Sequence, residues 1–252
     1  MAKNSYKVDR QIKRNTKSVL SERKASENPW AAVGVFLNFF SVLFSILLPL
    51  SLVALAACVV LRIPDFIEFE TDRSGVLQEL SIETTPGEIA GEVADFLWHR
   101  TEALSLTTEI NRQDVPVFSF MDEVNLSRIR DFLDEISYPF IGAFVLAMIF
   151  FVICRLAERR RSLKYAMRAS IIIYICTVCF VLTLALYTPF RDTVTAWQPG
   201  LEFTEGEILP RLLGGFYPFL SGGAICLISF IIYIALYSIL IRFTVEKENL
   251  FS

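Results

Sequence analysis

VFSFMDEVNLSRIRDFLDEI, residues 117–136, lies outside the long apolar runs of the chain and leads directly into one at Tyr138-Pro139. Ser119 followed three residues later by Asp122 has the form of an N-cap and capping box, so a helix is expected to start near Phe120. At about 100° per residue, Met121, Val124, Ile129, Phe132, Leu133 and Ile136 gather on one face. Glu123, Ser127, Arg130, Asp131 and Asp134 gather on the other. Asn125 projects from the middle of the apolar face, where a polar side chain needs hydrogen-bond partners or a chemical role. An amphipathic helix running into an apolar run places this stretch at a membrane surface.

Composition agrees. The chain has 252 residues, 54% of them hydrophobic, and a mean hydropathy of +0.49, values of a membrane protein. The net charge of -3 says little, because the charges are segregated along the chain. All five cysteines, Cys58, Cys154, Cys176, Cys179 and Cys226, fall in apolar runs, which leaves no disulfide framework for the polar regions. Cys176-x-x-Cys179 has the spacing of a zinc or redox pair. With no second pair or histidine nearby, it reads instead as small buried helix residues.

Outward from the opening stretch, residues 63–137 form the main polar region, with 17 acidic residues against Arg73, Arg100, Arg112, Arg128 and Arg130, a net of -12. DFIEFE at 65–70 and the SIE beginning at Ser81 suggest brief extended pieces. Thr85-Pro86-Gly87-Glu88 is a helix start, with Thr85 as cap, Pro86 at the first position and Glu88 closing the box. The helix that follows puts Ile89, Val93, Phe96, Leu97 and Leu104 on one face, and a link through Asn111 to Pro116 reaches the opening stretch. Two amphipathic helices in so short a region are expected to pack on each other and on the membrane face.

On either side lie the spans. Residues 1–29 form a basic tail carrying Lys3, Lys7, Arg10, Lys13, Arg14, Lys17, Arg23 and Lys24. It either adheres to anionic headgroups or fixes topology, and the charge pattern favours the second. Residues 30–62 form the first transmembrane helix, longer than the ~20 residues a span needs. Leu55-Ala56-Ala57-Cys58 has the look of a lipobox, but Val59-Val60-Leu61 continues the apolar run, so the segment reads as an uncleaved anchor. The second, third and fourth spans are 138–156, 169–187 and 214–241. A basic loop at 157–168, an acidic-side loop at 188–213 and a tail at 242–252 connect and close them. Lysine and arginine asymmetry puts both termini and the arginine loop in the cytoplasm and the 63–137 region outside. The expected fold is an all-α integral membrane protein with four transmembrane helices and a small, mainly helical extracytoplasmic domain between the first and second.

Few residues offer chemistry. His99, the single histidine, lies on the flank of the first polar-region helix beside Trp98. It could serve as a general base, but without an evident nucleophile the ordinary reading is a half-exposed side chain. Asp122 and Glu123 point in different directions, and capping is the simpler role for Asp122. Arg128, three residues after Asn125, could join it in holding a phosphate or ester headgroup, or could form an internal ion pair. Gly214-Gly215 and Gly222-Gly223 match no phosphate-binding loop and read as helix-packing residues. The spans carry almost no ionisable residue to line a channel. No metal-binding, cofactor, nucleotide or nucleic-acid motif is present.

Phe118-Ser119-x-x-Asp122-x-x-Asn125-Leu126 resembles a motif of the lipoprotein intramolecular transacylases, the Lit family of integral membrane proteins found mostly in Gram-positive bacteria. That family reads Phe, a polar pair, an acid, then His-Met or His-Leu. Trp197, followed by Leu209-Pro210 and Phe216-Tyr217, is a second echo. The resemblance implies an extracytoplasmic site that engages membrane lipid or a lipoprotein, and an acyltransferase if the protein is active. The family moves an acyl chain from the diacylglyceryl group of a lipoprotein to its N-terminal amine and uses extracytoplasmic histidines. Here Asn125 stands at the first expected histidine, Arg128 where an acid commonly follows, and Thr188-Pro189 near the second histidine. An amide does not exchange protons near neutral pH as imidazole does. The catalytic group is therefore unassigned: His99, Asp122 and Asn125 are candidates, and Asn125, Arg128 and Trp197 are the candidates for binding substrate. Three readings stay open. One is a lipid- or lipoprotein-engaging protein without the family's chemistry, and another an acyltransferase using His99 or a different base. The third is an accessory subunit docking a membrane-protein partner through its acidic region.

Overall fold

The structure, a computed structural model, describes residues 30–79, 82–110, 113–158, 160–197, 200–203 and 207–245. The basic tail at 1–29 and the last seven residues lie outside them, as do the expectations made there. Eleven elements follow in order. They are α1 (Trp30–Val60), α2 (Pro64–Ser74), α3 (Val76–Glu79), α4 (Pro86–Leu97), β1 (Thr107–Ile110) and β2 (Gln113–Pro116). Then come α5 (Phe120–Leu156), α6 (Arg160–Leu186), α7 (Thr188–Trp197), α8 (Leu209–Leu212) and α9 (Tyr217–Val245).

Among the described residues four helices, α1, α5, α6 and α9, are long and apolar enough to cross a membrane. With the fold likeness described below, they make the chain a four-helix membrane protein. α1 is the central one. It packs against α5, α6 and α9, and half of its most apolar window is buried, against 11 to 22% in the other three. Phe44, Leu48 and Val60 of α1 meet Ala147, Phe151 and Cys154 of α5 and Leu163 of α6 in one core. Phe40 stacks on Phe150, centroids 4.8 Å apart. α6 and α9 are joined by a polar seam. Tyr174 and Tyr233 stack at 4.4 Å, Tyr233 exchanges a 2.7 Å hydrogen bond with Ser170, and Tyr174 a 3.1 Å bond with Ser229. In hydrocarbon such bonds pin helices that apolar burial alone would not hold together.

α5 is one helix of 37 residues, about 55 Å long. The boundary that the sequence suggests at Tyr138-Pro139 is not a break in it. Residues 138–156 supply about 28 Å, close to the ~30 Å thickness of the hydrocarbon layer. The polar 120–137 stretch extends beyond the bundle as a continuation of the same rod. There it meets a small second core built from Ile67 (α2), Val76 (α3), Ile89, Val93 and Phe96 (α4), Leu126 (α5) and Leu209 and Leu212 (α8). Each such side chain contributes roughly 1.5–3 kcal/mol on burial, and together they hold a cap of short elements on one end of the bundle.

Local chemistry explains the elements of this cap. Thr85 accepts from Glu88 N at 3.3 Å while the Glu88 carboxylate accepts from Thr85 N at 3.0 Å, the expected capping box. These bonds from Thr85 hold the Glu88 carboxyl below its ordinary range. Ser119 and Asp122 form the equivalent box at the start of α5. The DFIEFE stretch, expected to be extended, is helical in α2. Pro64 starts it and Gly75, at φ +65°, stops it, so Ile67 is buried while Phe69 is 48% exposed. At the expected extended SIE, residues 82 and 83 form no strand. The strands lie instead in the 107–116 link, an antiparallel hairpin pairing Thr107 with Pro116 and Ile110 with Gln113. The expected 188–213 loop contains the helix α7 and the single turn α8.

Two further expectations change. Cys176 and Cys179 are exposed on the outside of the bundle rather than buried. Of the paired glycines, only Gly222 is a packing residue; a Cβ there would meet that of Ala185 at 2.5 Å, whereas Gly223 faces open space. Gly214 and Gly215 form the turn between α8 and α9, where added Cβ atoms would come within 2.3 Å of Pro210 O and 2.1 Å of Glu70 Oε1.

Candidate functional site

Asp122, Asn125 and Arg128 meet at the capped end of the bundle, where α5 faces the segment between α7 and α9. The buried stripe of α5 runs through Asp122, Asn125, Leu126 and Leu133, with Met121, Val124 and Phe132 only half-buried. It is rotated from the purely apolar face because two polar side chains are satisfied inside. Asp122, 1% exposed, caps its own helix and also accepts from Ile208 N at 3.4 Å and Leu209 N at 2.9 Å. One carboxylate thus serves the starts of α5 and α8, where unsatisfied N–H groups and the helix dipole favour negative charge.

Asn125 has no exposed surface. Its Nδ2 donates to Glu202 O at 2.7 Å and to Glu207 Oε2 at 3.3 Å, and its Oδ1 accepts from Glu202 N at 3.3 Å. The side-chain amide pairs with the Glu202 backbone as a second peptide group would, which also fixes which end of the amide is nitrogen. One turn on, Arg128 donates to Gly200 O at 2.7 Å. The guanidinium thus has a backbone carbonyl as its hydrogen-bond partner. Asn125 and Arg128 together hold Gly200, Glu202 and Glu207 on α5. Trp197 ends α7, and its side chain lies outside what the structure describes. The two motif echoes, far apart in sequence, are thus brought into contact by Asp122 and Asn125.

His99 lies elsewhere on the cap, in a cluster that sequence reasoning missed. Arg62, just past the end of α1 and 6% exposed, donates from NH2 to Asp134 Oδ1 of α5 at 2.5 Å. The other oxygen, Asp134 Oδ2, lies 2.5 Å from His99 Nε2. A carboxylate accepts, so Nε2 carries the proton in this pairing. Burial by itself would raise the Asp134 carboxyl, but the hydrogen bonds from His99 and Arg62 outweigh it and hold the group below the usual carboxylate range. Trp98 completes the cluster: its ring lies 4.9 Å from the Arg62 guanidinium carbon, and its Nε1 donates to Arg62 O at 3.2 Å. His99 holds φ at +56°, a conformation that costs a non-glycine residue free energy and persists only where neighbours enforce it. No sequence signal joins residues 62, 99 and 134; the sequence shows only an arginine closing an apolar run and an acid on a polar face.

A third cluster joins the cap to α9. Glu70, 1% exposed, accepts two 3.1 Å bonds from Arg73 and one of 3.2 Å from Phe216 N. Arg73 lies over the Phe216 ring at 5.3 Å. Tyr217 donates to Leu61 O at 3.1 Å. Among the described residues no group of three metal-ligating side chains occurs.

No known family profile matches the sequence, and no curated protein matches it. Solved structures do. The membrane-integral lipoprotein intramolecular transacylase Lit from Bacillus cereus superposes with a TM-score of 0.58 at 17% identity, covering 83% of this chain and 97% of that one. A form of that enzyme with one histidine replaced by arginine gives 0.62, over 86% and 97%. A form with a histidine replaced by alanine gives 0.61, over 84% and 96%. The chain therefore resembles Lit in its membrane-integral helical fold across nearly the whole length of that protein.

Proposed function

We propose that this protein engages a lipid or lipid-modified polypeptide at the outer face of the cytoplasmic membrane, through the cap built on α1, α5 and α9. The observation that carries the reading is the shared fold, which spans nearly all of the membrane-integral lipoprotein intramolecular transacylase. The cap fits the role physically: it is acidic and rests on the ends of spans whose flanks reach the lipid. Its sidedness follows from the positive charges, with the termini and the arginine-rich α5–α6 connection in the cytoplasm. Asn125 and Arg128 serve this function by holding Gly200, Glu202 and Glu207 in place.

The test is binding of a diacylated lipopeptide to the protein in nanodiscs, compared with the same peptide lacking its acyl chains. Saturable binding that needs the acyl chains supports the reading. Equal retention of the two peptides, together with a stoichiometric membrane-protein partner on purification, would replace it with the docking role of an accessory subunit.

A further inference from the structure

The lipid-facing surface of α9 does not end with the helix. Exposed side chains at Phe219, Leu227, Phe230 and Ile234, with Gly223 open between the first two, recur every three or four residues as one stripe. Above Phe219 the stripe continues onto other elements. Phe216 lies 4.7 Å from Phe219, and Phe69 of α2 lies 6.5 Å from Phe216, ring centroid to centroid. Phe69 and Phe219 are each 48% exposed and Phe216 36%, a contiguous apolar patch of the kind that marks an interaction surface.

Depth identifies what covers it. Arg242, in the last turn of α9, marks one edge of the hydrocarbon. About 20 residues up the helix, about 30 Å, Gly222 stands at the other edge. Phe219 and Phe216 lie about 5 and 9 Å beyond it, across an interfacial layer about 5–8 Å thick. Phe69 packs beside them, so α2 lies on the membrane surface with this ring turned into it. Ile67 and Thr71, on the other face of α2, are buried in the cap. Charge then selects the headgroup. Arg73 binds Glu70 through Nε and Nη2, which leaves Nη1 for a further acceptor. Its side chain is 49% exposed, with the guanidinium 5.3 Å from the centre of the Phe216 ring. At about 100° per residue Arg73 stands roughly 40° to one side of Phe69, and the exposed Asp72 roughly 60° to the other. A cation and an anion flank the patch.

We propose that Phe69, Phe216 and Phe219 form a seat for a phospholipid of the leaflet beneath the cap, with Arg73 taking its phosphate and Asp72 an ammonium on the same headgroup. An ethanolamine phospholipid has this chemistry. The acyl chains run down the stripe from Phe219 to Ile234, and the seated lipid holds α2 against the membrane. The seat is independent of the lipid-engaging function above, since its occupant is bilayer lipid and no modified polypeptide is needed.

The experiment uses the full chain in nanodiscs with Phe69→Trp, its emission read as the increment over the three native tryptophans. Phe219→Trp probes the same patch from α9 and guards against a disturbed α2. Phe120→Trp, about 27 Å along α5 from Tyr138, is the water-exposed control. Bromines on the upper acyl chain are expected to quench positions 69 and 219 while iodide does not, and the reverse is expected at 120. Bromines carried only by an ethanolamine phospholipid are expected to quench position 69 about twofold more than those on an equal fraction of a glycerol-headgroup lipid. Adding Asp72→Asn to the Phe69→Trp chain is expected to erase that preference and leave the quenching itself. Iodide quenching at 69 and 219 without bromine quenching puts the patch in water and overturns the seat. Equal quenching by the two lipids, or a preference that survives Asp72→Asn, overturns the headgroup assignment. Neither result alters lipopeptide binding, which tests the function above.

Discussion

Replacing Asn125 by alanine removes three hydrogen bonds at once and strands the Glu202 backbone N–H and C=O. Leaving buried polar groups unpaired costs about 1–3 kcal/mol. Asn125→Ala is therefore expected to lower the melting temperature and to admit proteolysis within 200–207, and a protease-resistant variant would refute the clamp. Asn125→His is expected to loosen the same segment, because imidazole cannot present a donor and an acceptor in the planar arrangement of a peptide group. A histidine at this position thus disrupts the local structure that holds this site together. Asp134 makes a pH prediction of definite sign. Its carboxyl is held below the usual range, so its contribution to stability is complete above the unfolded carboxylate pKa and is lost as pH falls through the depressed folded value. Asp134→Asn is expected to flatten the acid limb of the stability curve, and an identical acid limb would contradict the pairing. The role of Asp122 was legible in the sequence, since Ser-x-x-Asp encodes a local box. Asn125 was visible only as an anomaly. Its partner is a backbone group 77 residues away, and backbone groups leave no signature in a side-chain pattern.

Among the elements, those governed by local rules were readable: the apolar runs, the Thr85 and Ser119 caps, and the amphipathic α4. Those decided by tertiary context were not. DFIEFE has a strand-like alternation, yet Pro64 at a helix start, Gly75 at its end and the need to bury Ile67 against α4 make it helical. The hairpin at 107–116 is held by contacts no short window contains, such as the Glu83 N–H donating to Thr108 Oγ1 at 3.0 Å. The α8–α9 turn is the most sensitive joint. Gly215 sits at φ +48° with the Glu70 carboxylate against its Cα, so Gly215→Ala adds backbone strain and forces the Glu70–Phe216 bond apart. A loss of about 1 kcal/mol or more is expected, read as a lower melting temperature. Gly223→Ala, facing open space in α9, is the control and is expected to change little.

At the scale of the whole molecule, the cap and the bundle are one structure because α5 runs through both. The positive-inside pattern predicts which way it faces. A cysteine introduced at Ser105, beside α4 on the cap, is expected to react with a membrane-impermeant maleimide in intact cells. Labelling only after the membrane is opened would invert the topology and remove the proposed substrate from reach. The 37-residue α5 has a further consequence as a lever. Its far end is tied to α9 by Arg155 donating to Phe243 O at 2.6 Å, its near end carries Asp122, Asn125 and Asp134, and Pro139 sits at the fulcrum. A bend of about 5° there moves the Phe120 end by roughly 2 Å, as much as separates a hydrogen bond from none. Helices answer a change in hydrocarbon thickness by tilting or kinking, so a thicker or thinner bilayer loads the histidine cluster and the Asn125 clamp on Glu202 together. Bilayer thickness thus becomes an input to the site, and nanodiscs of graded acyl length are the instrument that would read it.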